Sequence, residues 1–235
     1  MNNVRVASFD IGSKNFALWI DEYDTAMLNQ SRLEYINKLR TRQVKLYNDD
    51  GTSTQYFERI IQDVATSGST VCFYNEDITN GESGVSSGTL LNMTAFLDSM
   101  VHVLCTVDHF VIEKQMSFRG KSNPQAVRLS HHLESYLMLR YGGLSSITEF
   151  PAYNKTQVLG AQREAHRRKN GTIHYKSRGY SDRKKWAICL AYEIIVSRNE
   201  WDSLECICDM KKKDDVSDCL VQGLAFVILK FIIQK

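Results

Sequence analysis

VRVASFDIGSKNFALWI, residues 4–20, is the stretch from which the fold is read. Val4 to Phe9 alternates and then runs apolar. It stops at Asp10-Ile11-Gly12, the pattern of a strand ending in a turn. Asn15 to Ile20 (NFALWI) reads as the return strand of a hairpin. Asp10 therefore stands where a buried strand ends. A carboxylate in an interior calls for a cation to pair with it, because an unpaired buried charge is very costly.

Outward from that hairpin, residues 24–47 predict a helix and then a short strand, and Asn48 to Thr54 a turn. Tyr56 to Ala65 carries apolar residues at helical spacing and is followed by a strand, Thr70 to Tyr74. The polar run 75–88 (NEDITNGESGVSSG) reads as a loop, and Leu90 to Leu104 returns to helical intervals. His109 to Glu113 (HFVIE) is a compact buried strand that also ends at a carboxylate. Asn123-Pro124 opens a helix to Tyr141, stopped by Gly142-Gly143, and Ile147 to Phe150 is another strand. A helix start is expected after Lys155, then a helix from Asp182 to about Ser197, and a final one from about Asp215 onward. Alternating strands and helices make this an α/β chain, in which functional groups gather at strand ends and helix starts.

At 235 residues the chain suits one domain and can bury a sizeable core. Its net charge of +2 alone predicts no nucleic-acid partner. The 6 cysteines contain no C-x-x-C pair and read as reduced core thiols. With neither a signal-peptide pattern nor an Arg-rich presequence near Met1, a cytoplasmic, non-secreted protein is expected. LVQGLAFVILKFIIQK, residues 220–235, is the most apolar stretch, but Lys230 interrupts it short of a bilayer span. It reads as a buried helix, and no membrane partner is expected.

Asp215 and Asp218 lie three apart at the start of that last helix, so both face the same way and the helix dipole favours them. Taken singly, each acid has an ordinary reading: a helix cap, a turn residue, a charge at a strand end. Their combination and order say more. A first-strand Asp, a mid-chain strand-end Glu and a late helical D-x-x-D would supply the oxygen ligands that magnesium prefers. Two such ions about 3.5–4 Å apart can activate a water and stabilise the departing oxygen of a phosphodiester.

In that order, SFDIGSKN, then VIEKQ, then KKKDDVSDCLVQG, the chain resembles the RuvC-type Holliday junction resolvases of the RNase H-like superfamily. The likeness is greatest to the branch of poxviruses and other large DNA viruses and to the fungal mitochondrial enzymes, and it spans Asp10 to Gly223. The resemblance implies a central mixed five-stranded sheet flanked by helices, as one nuclease domain over 1–235 with a basic insertion near 161–183. It implies Asp10, Glu113, Asp215 and Asp218 as catalytic residues and metal ligands, with Asp214 able to take a role if the register shifts by one. Two Mg2+ per site follow, with Mn2+ as a substitute. The family also places a lysine in a motif matched here by NKTQVLG, which points to Lys155. A second lysine, Lys184 or Lys185, opens the next helix, displaced by the basic insertion. A lysine near the scissile phosphate can neutralise developing charge.

Arg163, Arg167, Arg168, Lys169, Lys176, Arg178, Arg183, Lys184 and Lys185 stand against only Glu164 and Asp182, a surplus of seven positive charges. The rest of the chain is therefore net acidic, and this segment marks one basic face. Interleaved His166, His174, Tyr175 and Tyr180 can stack on bases or sugars. Sequence-independent, salt-sensitive contact with phosphates is expected. After Glu113, the resemblance to the bacterial relatives, in which an aromatic of the comparable loop helps open the junction centre, makes Phe118 a candidate wedge, with Arg119 and Lys121 on phosphates; packing of Phe118 in the core is the alternative. His131 and His132 read as structural.

The expected function is an endonuclease that nicks branched DNA, above all four-way junctions, in symmetric pairs. The expected assembly is a homodimer, acting in a cytoplasmic viral factory if the chain is viral. Cleavage of RNA–DNA hybrids by the same acids, or junction binding without cleavage, are the alternatives. The D-x-G start also occurs in actin-like ATPases, but the second lobe they need has no room here.

Overall fold

The computed structural model describes residues 3–40, 44–115, 123–168 and 170–234. β1 (Asn3–Asp10) pairs antiparallel with β2 (Phe16–Asp24), as the opening stretch predicts, with Asp10 opposite Ala17. β3 (Gly68–Glu76) extends the sheet beyond β2, while β4 (His109–Lys114) and β5 (Ser146–Pro151) add in parallel on the other side of β1. The order is β3-β2-β1-β4-β5, a mixed five-stranded sheet.

The central strands bury both faces, which is why they read as apolar runs. Phe9, Leu18, Phe110 and Ile112 point to one side, where α3 (Ser87–Ser99) and α5 (Pro124–Tyr141) supply Met93, Leu97 and Leu133. Val6, Trp19 and Val111 point to the other. There they meet α1 (Thr25–Arg40), α2 (Gln55–Thr66), α7 (Tyr180–Ser197) and α9 (Lys213–Val227). α9 runs on as a wider π turn over Ile228–Ile233. By length and composition this one helix, among the described residues, is apolar enough to cross a membrane, but most of it is buried against the sheet.

Several expectations are corrected. Residues 44–47 form no strand beyond a single bridge from Tyr47 to Ser53. The helix expected over 90–104 breaks at Met100, leaving the short α4 (Val101–Leu104). The helix α6 (Ala152–Val158) begins before Lys155, because Pro151 lacks the N–H that would continue a ladder and stands just ahead of the first turn. α8 (Trp201–Asp209) is an additional helix, and α9 starts two residues before Asp215. The cysteines are free, yet only Cys219 is buried; Cys105, Cys189, Cys206 and Cys208 are exposed. They lie on outward faces of helices and turns, where a thiol is tolerated without being core. The basic segment is a ribbon of two antiparallel strands, β6 (Arg163–Arg167) and β7 (Ile173–Ser177), separate from the main sheet.

Candidate active site

β1 and β4 are parallel neighbours, so their C-terminal ends reach the same edge of the sheet. Asp10 and Glu113 stand one residue beyond the pair Phe9–Ile112. Phe9 and Ile112 face α3 and α5, so strand alternation turns Asp10 and Glu113 toward α9. Gly12 closes the turn behind Asp10; a Cβ there would stand 2.9 Å from the Asn15 carbonyl oxygen.

α9 brings the other acids. Asp215, Asp218 and Gln222 follow one another at i, i+3 and i+7, a single stripe down the helix. Gln222, 1% exposed, donates from Nε2 to Ser8 Oγ at 2.9 Å and to the Phe9 carbonyl at 3.2 Å, with the Val111 carbonyl at 3.4 Å. It ties α9 to both strands that carry Asp10 and Glu113, directly beneath the acids. At the helix start, Asn75 Nδ2 donates to the Lys212 carbonyl at 3.0 Å.

Asp10, Glu113, Asp215 and Asp218 thereby line one cavity of about 240 Å3, together with Asn15, Tyr180 and Lys184. Lys155, 7% exposed, places Nζ 3.4 Å from Asp218 and 3.6 Å from Glu113. Lys184 contacts Asp214 and lies 3.6 Å from Asp215. So Asp214 is engaged by a lysine at the rim, while Asp215 faces the cavity. Lys185 points to solvent and lines neither this cavity nor its neighbour, because adjacent helix positions face different ways. The neighbouring cavity, about 120 Å3, lies beyond Lys155 and is walled by Tyr180, Arg183 and Trp186.

The electrostatics show a shortage of positive charge. Burial raises the Asp10 carboxyl well above the usual range, and Glu113, Asp218 and Asp215 add to the rise against the pull of Lys155. Burial raises Asp218, and burial with Asp214 raises Asp215. For Lys155, burial opposes the charge, but Glu113, Asp218 and Asp10 overcome it and hold the ammonium protonated. Asp214 is itself lowered, since Lys184 outweighs its burial. Among the described residues, no three acidic, His or Cys side chains are drawn together tightly enough to enclose a metal ion as they stand. The two lysines occupy the space between the acids. The donor set is nevertheless all oxygen and has more negative charge than two lysines balance, which fits a hard divalent cation.

The DNA-contact candidates divide. Arg167, Arg168 and Lys176 are exposed along the ribbon. Arg163 and Arg178 sit at its base: Arg163 lies over Gly51 and Arg178 contacts Gln162. Phe118, Arg119, Lys121 and Lys169 lie outside the described residues. His132 bonds Thr94 at 2.9 Å, and His131 is 3.8 Å from Glu134. Gln222 is an addition to the sequence reading, and Tyr180, expected as a stacking residue, lines the carboxylate cavity instead. A lone glutamine in the apolar run 219–229 is the available signal for the first.

No protein-family model matches the chain. Two curated relatives are uncharacterized proteins. Protein 170L of Invertebrate iridescent virus 6 is 28% identical over 95% of this chain and 89% of its own length. Protein 97L of Invertebrate iridescent virus 3 is 26% identical over 93% and 98%. Among solved structures, the Fowlpox virus resolvase in complex with substrate Holliday junction DNA superposes with a TM-score of 0.52 and 13% identity, covering 95% of this chain and 97% of that one. RuvC of T. thermophilus with a Holliday junction substrate superposes at 0.51 and 10%, covering 97% and 96%. The mixed sheet, its order and its flanking helices are therefore those of the RNase H-like fold shared by the RuvC-type resolvases.

Proposed function

We propose that this chain is a metal-dependent, structure-selective endonuclease that resolves four-way and other branched DNA junctions by paired symmetric nicks. The observation that carries the reading is the convergence of Asp10, Glu113, Asp215 and Asp218 on one cavity, with Lys155 and Lys184 among them. Those four carboxylates would hold two Mg2+, or Mn2+ in its place. Bound there, such cations supply activation of a water and neutralisation of the leaving 3′ oxygen.

The chain's own residues do the rest. The four acids, fixed by two strand ends and one helix, set where the scissile phosphate rests. Lys155 and Lys184 keep the acids from repelling one another and present positive charge toward the phosphate. The water oxygen bonds to phosphorus in line as the P–O3′ bond breaks, leaving a 5′ phosphate and a 3′ hydroxyl. Arg163, Arg167, Arg168, Lys169, Lys176 and Arg178 contact DNA phosphates, with Phe118, Arg119 and Lys121 at the junction centre. Paired nicks call for a homodimer, one site per strand, acting in the cytoplasm or a viral factory within it.

The test is cleavage of a synthetic four-way junction in magnesium, with a linear duplex and an RNA–DNA hybrid alongside. Wild-type protein is expected to nick the junction at symmetric positions and to spare the other two. Asp10→Asn and Asp218→Asn are each expected to lose more than about a hundredfold in rate. Undiminished cleavage by either variant would remove the site assignment. Preference for the hybrid would replace the substrate.

A further inference from the structure

The β6–β7 ribbon stands apart from the rest of the fold. Its ten strand residues are exposed except Arg163 and Tyr175, which are half-buried, so neither face packs on the core. An isolated two-stranded ribbon is marginal in water. Among the described residues, this one is clasped at its base alone. The Arg163 backbone N–H donates to the Asp50 carbonyl at 2.7 Å, Gln162 Nε2 donates to Asp50 Oδ2 at 3.2 Å, and Arg178 contacts Gln162. The turn at 50–52 is braced in the same place, with Thr52 Oγ1 donating to Asp50 Oδ1 at 2.7 Å.

The ribbon's place in the chain fixes its place beside the site. It is bracketed by α6, which carries Lys155, and by α7, which opens at Tyr180 and carries Lys184. Its two ends, at Arg163 and Ser177, line a small cleft with Thr156 and Arg183, which also wall the cavity beyond Lys155. Register places Glu164 opposite Lys176, His166 opposite His174 and Arg167 opposite Ile173. One face thus holds Arg163, Arg167 and Tyr175, the other Glu164, Lys176 and the two histidines. Arg167, Arg168 and Lys176 are exposed and have no acidic partner among the described residues. Only Ala165 and Ile173 are apolar, too few for a protein or lipid surface to grip.

We propose that this ribbon is an arm that lies along a duplex arm of the DNA, in or across its major groove, and holds it by sequence-independent phosphate contacts. A major groove about 12 Å wide admits a two-stranded ribbon, and five residues per strand reach about 17 Å along it. The cations on both faces then meet the phosphates on both sides of the groove. The arm grips duplex away from the cut, while the carboxylates act at the cut. This inference rests on the branched-DNA reading above.

The experiment measures affinity for a labelled four-way junction, and for one of its arms as a linear duplex, by anisotropy in EDTA over a series of salt concentrations. The proteins are the wild type, the triple variant Arg167→Gln/Arg168→Gln/Lys176→Gln, and a variant with residues 165–175 replaced by Asn-Gly. The last closes the Glu164–Lys176 pair with a two-residue turn. Circular dichroism confirms that each is folded, and the shortened ribbon serves if the triple variant is not. Each lost phosphate contact lowers the slope of log affinity against log salt by about 0.9, so the triple variant is expected to lose about 2–3. Its affinity at low salt should fall at least about tenfold on junction and duplex alike. Wild-type affinity and slope in both variants would overturn the arm. A wild type that neither prefers nor cuts junctions, but whose salt slope still falls in the variants, would sink the junction reading and leave the arm standing.

Discussion

Asp21 and Asp10 lie on neighbouring strands and face the same layer of helices, yet the charges around them are arranged on opposite terms. Asp21 meets Arg198 at 3.0 Å, and both side chains are under 5% exposed. Trp19 Nε1 donates to Asp21 at 2.6 Å and Tyr23 OH at 2.9 Å, while Arg198 Nε donates to the Ala65 carbonyl at 2.7 Å. One acid, one base and a full set of hydrogen bonds make a closed unit that holds β2 to α2 and α7. Around Asp10, five carboxylates face two lysines. A fold that keeps such a surplus of negative charge at a strand edge leaves room for a cation that comes and goes. The satisfied pair is architecture; the unsatisfied set is where chemistry with phosphate fits.

The contrast is broken most severely by unpairing the closed unit. Arg198→Met leaves Asp21 buried without its partner and is expected to cost about 3–5 kcal/mol in urea denaturation. Asp10→Asn removes a repelled charge and should leave the midpoint unchanged or raise it. Equal destabilisation by the two substitutions would erase the distinction between them.

A smaller effect comes from filling the cavity. Mn2+ or Mg2+ at a hundred times its dissociation constant should add about 2.7 kcal/mol of stability, read as a rise in melting temperature. The rise should persist in Arg198→Met and vanish in an Asp10→Asn/Asp218→Asn double variant. A rise of the same size in the double variant would place the ion elsewhere.

The smallest effect sharpens a third arrangement, in which a charge is avoided altogether. Burial, helped by Lys230 at 3.4 Å, lowers His109 to about 4, so the folded ring stays neutral while an unfolded one titrates near 6.5. The unfolded chain then binds the extra proton first. The contribution is intact above pH 6.5 and is lost as pH falls toward 4. Because the ring is partly solvated, the loss should be about 1 kcal/mol. His109→Gln should flatten that part of the stability–pH profile, and an unaltered profile would assign it to other groups.

What could be read beforehand follows from what each segment buries. Strands β1 and β4 were legible because both faces are covered, so their apolar runs are continuous and end abruptly at Asp10 and Glu113. The ribbon was legible as charge but not as strand, since nothing buries either face and no alternation is imposed. α8 escaped notice because a short surface helix needs only Ile207 inside. Choosing between Lys184 and Lys185, or Asp214 and Asp215, required the rotation of α7 and α9 about their axes. Long-range packing sets that rotation, through contacts such as Gln222 with Ser8 and Phe9.

α9 shares the cover of one face of the sheet with α1, α2 and α7, and it alone brings Asp215 and Asp218 to the cavity. Before residues 213–233 emerge from the ribosome, Val6, Trp19 and Val111 lack part of their cover, and Asp10 and Glu113 stand without the two helical acids. Docking that helix therefore closes this part of the core and gathers the four acids in a single step. A chain stopped before residue 213 would carry the β6–β7 ribbon but neither Asp215 nor Asp218.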